Sequence, residues 1–215
     1  MKIQDLMELI EPQVRSYDMS KRSMRDRSNT GNDAGEGVFS TVKQDRDPHL
    51  VKKTSKYAED THKDGYWFFI KNVIDHKLWE NPYFPRVYQF KKFSKGDDAH
   101  YRVQLEKLVD LNSISKKELY AMARKVFGES GMKDVIEKEE DIIQIPAALE
   151  HLCENLYDGE IHTEGLDPDL VSAIATLRKM NANKFEYDLH RENIMARRGP
   201  HGLHMVIVDP FSVKR

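Results

Sequence analysis

The stretch YDLHRENIMARRGPHGLHMVIVDP, residues 187–210, decides how the rest of the chain is read. Ile194 to Ala196 predict one β-strand, RRGPHG (197–202) a turn, and LHMVIV (203–208) a returning strand, so the stretch is a short hairpin. The open end of such a hairpin brings its two flanks, Asn193 and Asp209, side by side. Asp188, five residues before Asn193, enters the same end from the preceding loop. An amide and a carboxylate converging beside a second carboxylate make an oxygen-ligand set suited to Mg²⁺, with one acid left to accept a proton. Taken singly, Asp188 and Asn193 read as turn caps and Asp209 as a strand end. Together they point to phosphate chemistry.

A second element lies far upstream. Residues 35–56, GEGVFSTVKQDRDPHLVKKTSK, are two β-prone runs around an Asp-Arg-Asp-Pro turn. Gly35 and Gly37 precede Val38, Phe39, Ser40 and Val42, and glycines on a turn let backbone N–H groups approach phosphate oxygens without a side chain in the way. LVKK then places a lysine at the end of an apolar strand, where an ammonium reaches phosphates under the glycine turn.

Between these elements the pattern is mixed. Residues 3–14 carry Ile3, Leu6, Met7, Ile10 and Val14 at helical spacing, and the polar, locally basic segment to residue 30 reads as a linker or as an arm for nucleic acid or an acidic partner. DGYWFFIKNVIDHKLW (64–79) predicts a largely buried helix, and FPRVYQFKKF and HYRVQLEKLVDL a strand pair joined by SKGDD. Residues 115–157 turn helical, with the acidic EKEED as a solvated face. DPDLVSAIATLRKMNA predicts a further helix with Asp167 as N-cap and Pro168 in its first turn. Strands first, helices second and a late hairpin predict an α+β fold in two lobes.

Composition sets the outer limits. The chain has 215 residues, enough for one large domain or two small lobes, and a domain of this size buries roughly 70% of the surface exposed by its unfolded chain. Charged residues make up 33% with a net charge of -2, so overall charge demands no nucleic acid or acidic partner. A lone Cys153 excludes an internal disulfide. No apolar run approaches the roughly 18 residues of a membrane span, and the opening MKIQDLMELIEP lacks a signal-peptide core, so a cytoplasmic protein without membrane contact is expected.

The combination resembles the protein kinase-like superfamily from about Gly31 onward. GEGVFSTV is similar to its glycine-rich loop, with Ser40 in place of the third glycine, LVKK to the strand of its phosphate-binding lysine, and DLHREN to its catalytic loop; IVDPF stands where the family has its metal-binding Asp-Phe-Gly. The resemblance implies ATP and Mg²⁺ as cofactors, Asp188 as the base that orients the acceptor hydroxyl, and Asn193 and Asp209 as metal ligands. It implies nucleotide contacts from Gly35, Gly37, Ser40 and Val42. Lys52 is chosen as the ATP lysine because strand alternation then points Leu50 toward the adenine and Val51 away, with Lys53 as the competitor. Its acidic partner is expected from the following helix, with Asp64 better placed than Glu59. Leu105, Glu106, Lys107 and Leu108 fall where the family's hinge binds the adenine edge through its backbone, an ordinary strand end being the other reading.

Three departures stand out. Glu186 and Tyr187 replace the His-Arg before the catalytic aspartate, so control by a phosphorylated activation loop is not expected. Pro210 and Phe211 replace Phe-Gly, so the in/out switch of that segment is not assumed. Six residues follow Asp209, so a reduced C-terminal lobe is expected, with an N-terminal helix and arm over 1–30, an N-lobe over 31–110 and a compact helical C-lobe over 111–215. The DLHxxNIM and IxDP patterns are similar to the early serine/threonine protein kinases of short-tailed bacteriophages. That resemblance implies protein substrates in the host's transcription and RNA-processing machinery. Two other readings stay open: a kinase-like binding module that blocks a host protein, and a small-molecule phosphotransferase.

Overall fold

β-prone runs of the first half pair into one antiparallel sheet in the computed structural model of the chain, which describes residues 33–36, 40–56, 64–93, 100–135, 139–182 and 184–213. The expected 3–14 helix, the basic arm, Gly37, Glu59 and the SKGDD loop lie outside these residues. The sheet contains β1 (Asp33–Glu36), β2 (Ser40–Gln44), β3 (Leu50–Lys56), β4 (Val87–Phe93) and β5 (His100–Glu106), in the order β1-β2-β3-β5-β4. The turn between β2 and β3 is held by Asp47, whose carboxylate accepts the His49 N–H at 2.8 Å and whose carbonyl accepts that of Leu50 at 3.1 Å.

Helix α1 (Gly65–Asp75) covers one face of the sheet, burying Phe69, Ile70 and Val73. It is shorter than the apolar pattern to residue 79 predicts. Lys77 is left-handed (φ 51) and leads into a single 3-10 turn, Leu78–Glu80, a break that apolar spacing does not reveal.

Helix α2 (Lys116–Val135) is interrupted at Gly128, where φ is 70 and an added Cβ would lie 2.4 Å from the Gly165 carbonyl oxygen. Helix α3 (Ile145–Asp158) buries Leu149, Leu152 and Leu156, and α4 (Pro168–Asn181) buries Leu170, Ile174 and Leu177; both are single apolar stripes at helical spacing. Asp167 caps α4 as expected, accepting the Asp169 N–H at 2.9 Å.

A second sheet has the order β6-β8-β9, from β6 (Val109–Asp110), β8 (Ile194–Gly199) and β9 (Gly202–Ile207). The hairpin is therefore longer than the sequence implies. Arg197 and Arg198 belong to β8, not to the turn, and the chain reverses at Pro200 and His201, with Gly202 at φ 95. Short β7 (Glu186–Tyr187) and β10 (Phe211–Ser212) pair antiparallel on either side of the hairpin. The architecture is α+β.

A buried ion pair joins the two sheets. Arg197 donates to both oxygens of Glu106, at 2.6 Å from Nε and 2.5 Å from Nη2. It also donates to the carbonyls of Pro82 and Phe84, each at 2.8 Å. Among the described residues, no helix is long and apolar enough to cross a membrane.

Candidate functional site

Strand pairing assembles the site. β7 runs into Asp188 and β10 starts just after Asp209, and their pairing is continued by the Asp188 N–H donating to the Pro210 carbonyl at 2.9 Å. Ile194 pairs with Ile207 at the last register of the hairpin, and the Val208 N–H donates to the Asn193 carbonyl at 3.0 Å. Asp188, Asn193 and Asp209 thus meet at one end of the hairpin, where the sequence places them. The Asn193 side-chain nitrogen donates to the Asp188 carbonyl at 2.7 Å, so the amide oxygen is the side-chain atom that could accept a cation. His190 stands beside them, its Nε2 3.9 Å from Asp188 Oδ1.

Aromatic packing fixes the segment after Asp209. The Phe211 ring lies 6.0 Å from Phe68, 6.3 Å from Phe69 and 6.2 Å from Phe185, so α1 grips it from one side and the start of β7 from the other. Gly65 makes this approach possible, because a Cβ there would sit 2.4 Å from the Phe211 carbonyl oxygen.

The lysine that faces Asp209 is Lys53, not Lys52. Lys53 Nζ lies 3.1 Å from Asp209 Oδ2 and 3.4 Å from the ring centroid of Tyr66. Lys52 points to the opposite face of β3, where its ammonium pairs with Asp45 at 3.0 Å. Leu50 shares the Lys52 face, and Val51 shares that of Lys53, so Val51 and not Leu50 lies on the face of β3 that carries the lysine facing Asp209. Register sets Ser40 opposite Ser55, and Val42 opposite Lys53, which puts both on the Lys53 face; Gly35 lies across from Val42.

Asp64 does not pair with the lysine either. Its Oδ1 accepts the Trp67 N–H at 2.9 Å as the N-cap of α1, and its Oδ2 accepts the Tyr101 hydroxyl at 2.9 Å. Glu106 is likewise committed elsewhere. Its carboxylate holds Arg197 and the Arg86 N–H, its own N–H donates to Arg86 O at 3.1 Å, and the Lys107 N–H donates to His49 O at 2.7 Å. The backbone amides of Glu106 and Lys107 are therefore used inside the protein. Leu108 is half-buried in the link from β5 to β6.

The electrostatics of the site centre on Asp209. Burial pushes its carboxyl above the usual carboxylate range, and Lys53 opposes that shift without cancelling it. A carboxylate so placed gains from a further cation. Among the described residues no group of three or more His, Cys, Asp or Glu side chains is arranged to hold a metal ion. Tyr66, His190 and Arg197 are the residues that sequence reasoning passed over. Tyr66 sits in an apolar helical run and Arg197 in a run resembling a turn, and neither carries a motif.

No protein-family model matches the chain, and no curated protein matches it.

Proposed function

We propose that the protein is an ATP- and Mg²⁺-dependent serine/threonine protein kinase of the kinase-like superfamily. In this reading the five-stranded sheet with α1 forms one lobe, and α2 to α4 with the catalytic hairpin form a reduced second lobe. The observation that carries it is the 3.1 Å contact between Lys53 and Asp209, made at the hairpin end that also gathers Asp188 and Asn193. Two residues distant in sequence, one cationic and one anionic, meet where a triphosphate and its metal need both.

The residues present fit such a ligand. Lys53 would hold phosphate oxygens, and Asn193 and Asp209 would hold Mg²⁺, which when bound neutralises charge developing on the phosphates. Asp188 would orient the acceptor hydroxyl and take its proton. Phosphoryl transfer requires little covalent chemistry from a protein, so positioning and charge account for most of the rate. The Asp188 side chain is 41% exposed, which favours a hydroxyl presented on a protein surface over a small molecule held in a closed pocket.

Incubation with γ-labelled ATP and Mg²⁺, with and without bacterial lysate, tests the reading. Label on lysate proteins that disappears in Asp188→Ala and in Asp209→Ala is expected. Host transcription and RNA-processing proteins are the first candidates to identify, on the resemblance to early phage kinases. Equal labelling by a folded Asp209→Ala variant would contradict the assignment.

A further inference from the structure

The lysine of the site has an aromatic neighbour where an acidic one is expected. This inference rests on the assignment of Lys53 as the phosphate-binding cation. We propose that Tyr66 is the positioning residue of Lys53, holding the ammonium against its π face and so aiming it at the phosphates. Lys53 Nζ lies 3.4 Å from the Tyr66 ring centroid, well inside the range of a cation–π contact. Asp64, the acid at the start of α1, is occupied by the Trp67 N–H and the Tyr101 hydroxyl.

Tyr66 is built in for its ring. The residue is 7% exposed, and its hydroxyl is buried without a hydrogen-bond partner among the described residues. An unpaired buried hydroxyl is unfavourable, so the hydroxyl does not account for the placement. Tyr101 stacks with the ring at 6.3 Å between centroids, and Asp64 in turn accepts the Tyr101 hydroxyl. The neighbouring Gly65 touches the Phe211 backbone, which ties the start of α1 to the segment carrying Asp209. Ring and carboxylate thereby both contact one ammonium, at 3.4 Å from the centroid and 3.1 Å from Oδ2.

A neutral positioning group has a distinct electrostatic effect. A second carboxylate would offset the charge of Lys53 further, whereas a ring quadrupole orients the ammonium without adding to the offset that Asp209 already makes at 3.1 Å.

Two readouts test this, one of them without nucleotide. In protein labelled with ¹³C at the lysine Cε, the Lys53 ε-methylene should show an upfield ring-current shift, assigned by its disappearance in Lys53→Arg. Tyr66→Phe keeps the ring and should retain both the shifted signal and the KM for ATP. Tyr66→Leu should return the signal to the bulk lysine position and raise KM for ATP about tenfold, with a smaller effect on kcat. Loss of the shifted signal in Tyr66→Phe would overturn the proposal even if Tyr66→Leu fails to fold. So would a Tyr66→Leu enzyme with unchanged signal and KM. Full phosphoryl transfer by Lys53→Met would instead overturn the assignment of Lys53 itself, and the role of Tyr66 with it.

Discussion

Two cation–carboxylate pairs link the first sheet to the segments around the hairpin, and they differ in every respect that matters. In the Arg197–Glu106 pair the side chains are only 10% and 8% exposed, and the guanidinium also donates to two backbone carbonyls. In the Lys53–Asp209 pair the side chains are 17% and 29% exposed, and burial still raises the Asp209 carboxyl despite its partner. The first pair has its polar atoms satisfied and acts as a structural clamp. The second leaves the raised Asp209 carboxyl only partly compensated by Lys53, which agrees with the proposal that a cationic ligand completes this pair.

If the clamp is structural, breaking it on one side should have the largest effect on stability. Arg197→Met strands the Glu106 carboxylate and should destabilise the fold by about 3–5 kcal/mol, read from urea unfolding. Replacing Glu106 and Arg197 together by Leu and Met should recover part of that loss, because no buried charge then remains alone. A single substitution costing under about 1 kcal/mol would remove the contrast between the two pairs.

Asp209→Asn should do the opposite, losing activity about 100-fold or more while raising stability at neutral pH by about 0.5–1 kcal/mol. The sign follows from the raised carboxyl of the folded state. Folding favours the protonated form, so the wild type is relatively more stable below the ordinary aspartate range of about 3.9 and loses that contribution as pH rises through the higher folded value. The advantage of the asparagine variant should therefore shrink as pH falls. A variant less stable than wild type at pH 7 would show that Lys53 fully compensates Asp209.

The smallest effect is expected at Lys52. Its side-chain hydrogen bond, followed by that of Gln104, holds the Asp45 carboxyl below the usual range. The contribution to stability is thus present above the unfolded value and lost as pH falls through the folded one. Lys52→Met should leave phosphoryl transfer unchanged, with any difference in melting temperature fading in acid. Loss of transfer in this variant would move the nucleotide to the other face of β3.

Much of this was legible in the sequence, because hairpins and amphipathic helices announce themselves locally. The end of the hairpin at Asn193 and Asp209 follows from alternation and the strand flanks alone, and Asp167 with Pro168 marks the start of α4. What failed depends on tertiary context. The choice between Lys52 and Lys53 is a choice of strand face, and in LVKK both faces carry one aliphatic residue and one lysine, so the local pattern cannot decide it. Asp64 suggests an ion-pair partner by its place at the start of the following helix, although an aspartate directly before a helix is at least as well explained as its N-cap. Arg-Arg-Gly is polar and so predicts a turn at Arg197, and only the fold supplies the buried Glu106 that makes an arginine favourable inside a sheet. Tyr66 looks like any apolar helix residue until β3 delivers an ammonium to its ring.

Binding of MgATP to wild type, Lys53→Met and Lys52→Met, measured by titration calorimetry on the full chain, tests the central claim most directly. Binding by wild type and Lys52→Met, with an affinity loss of about tenfold or more in Lys53→Met, is the predicted result. Loss in Lys52→Met with full binding by Lys53→Met, or no binding by the wild type, would contradict it.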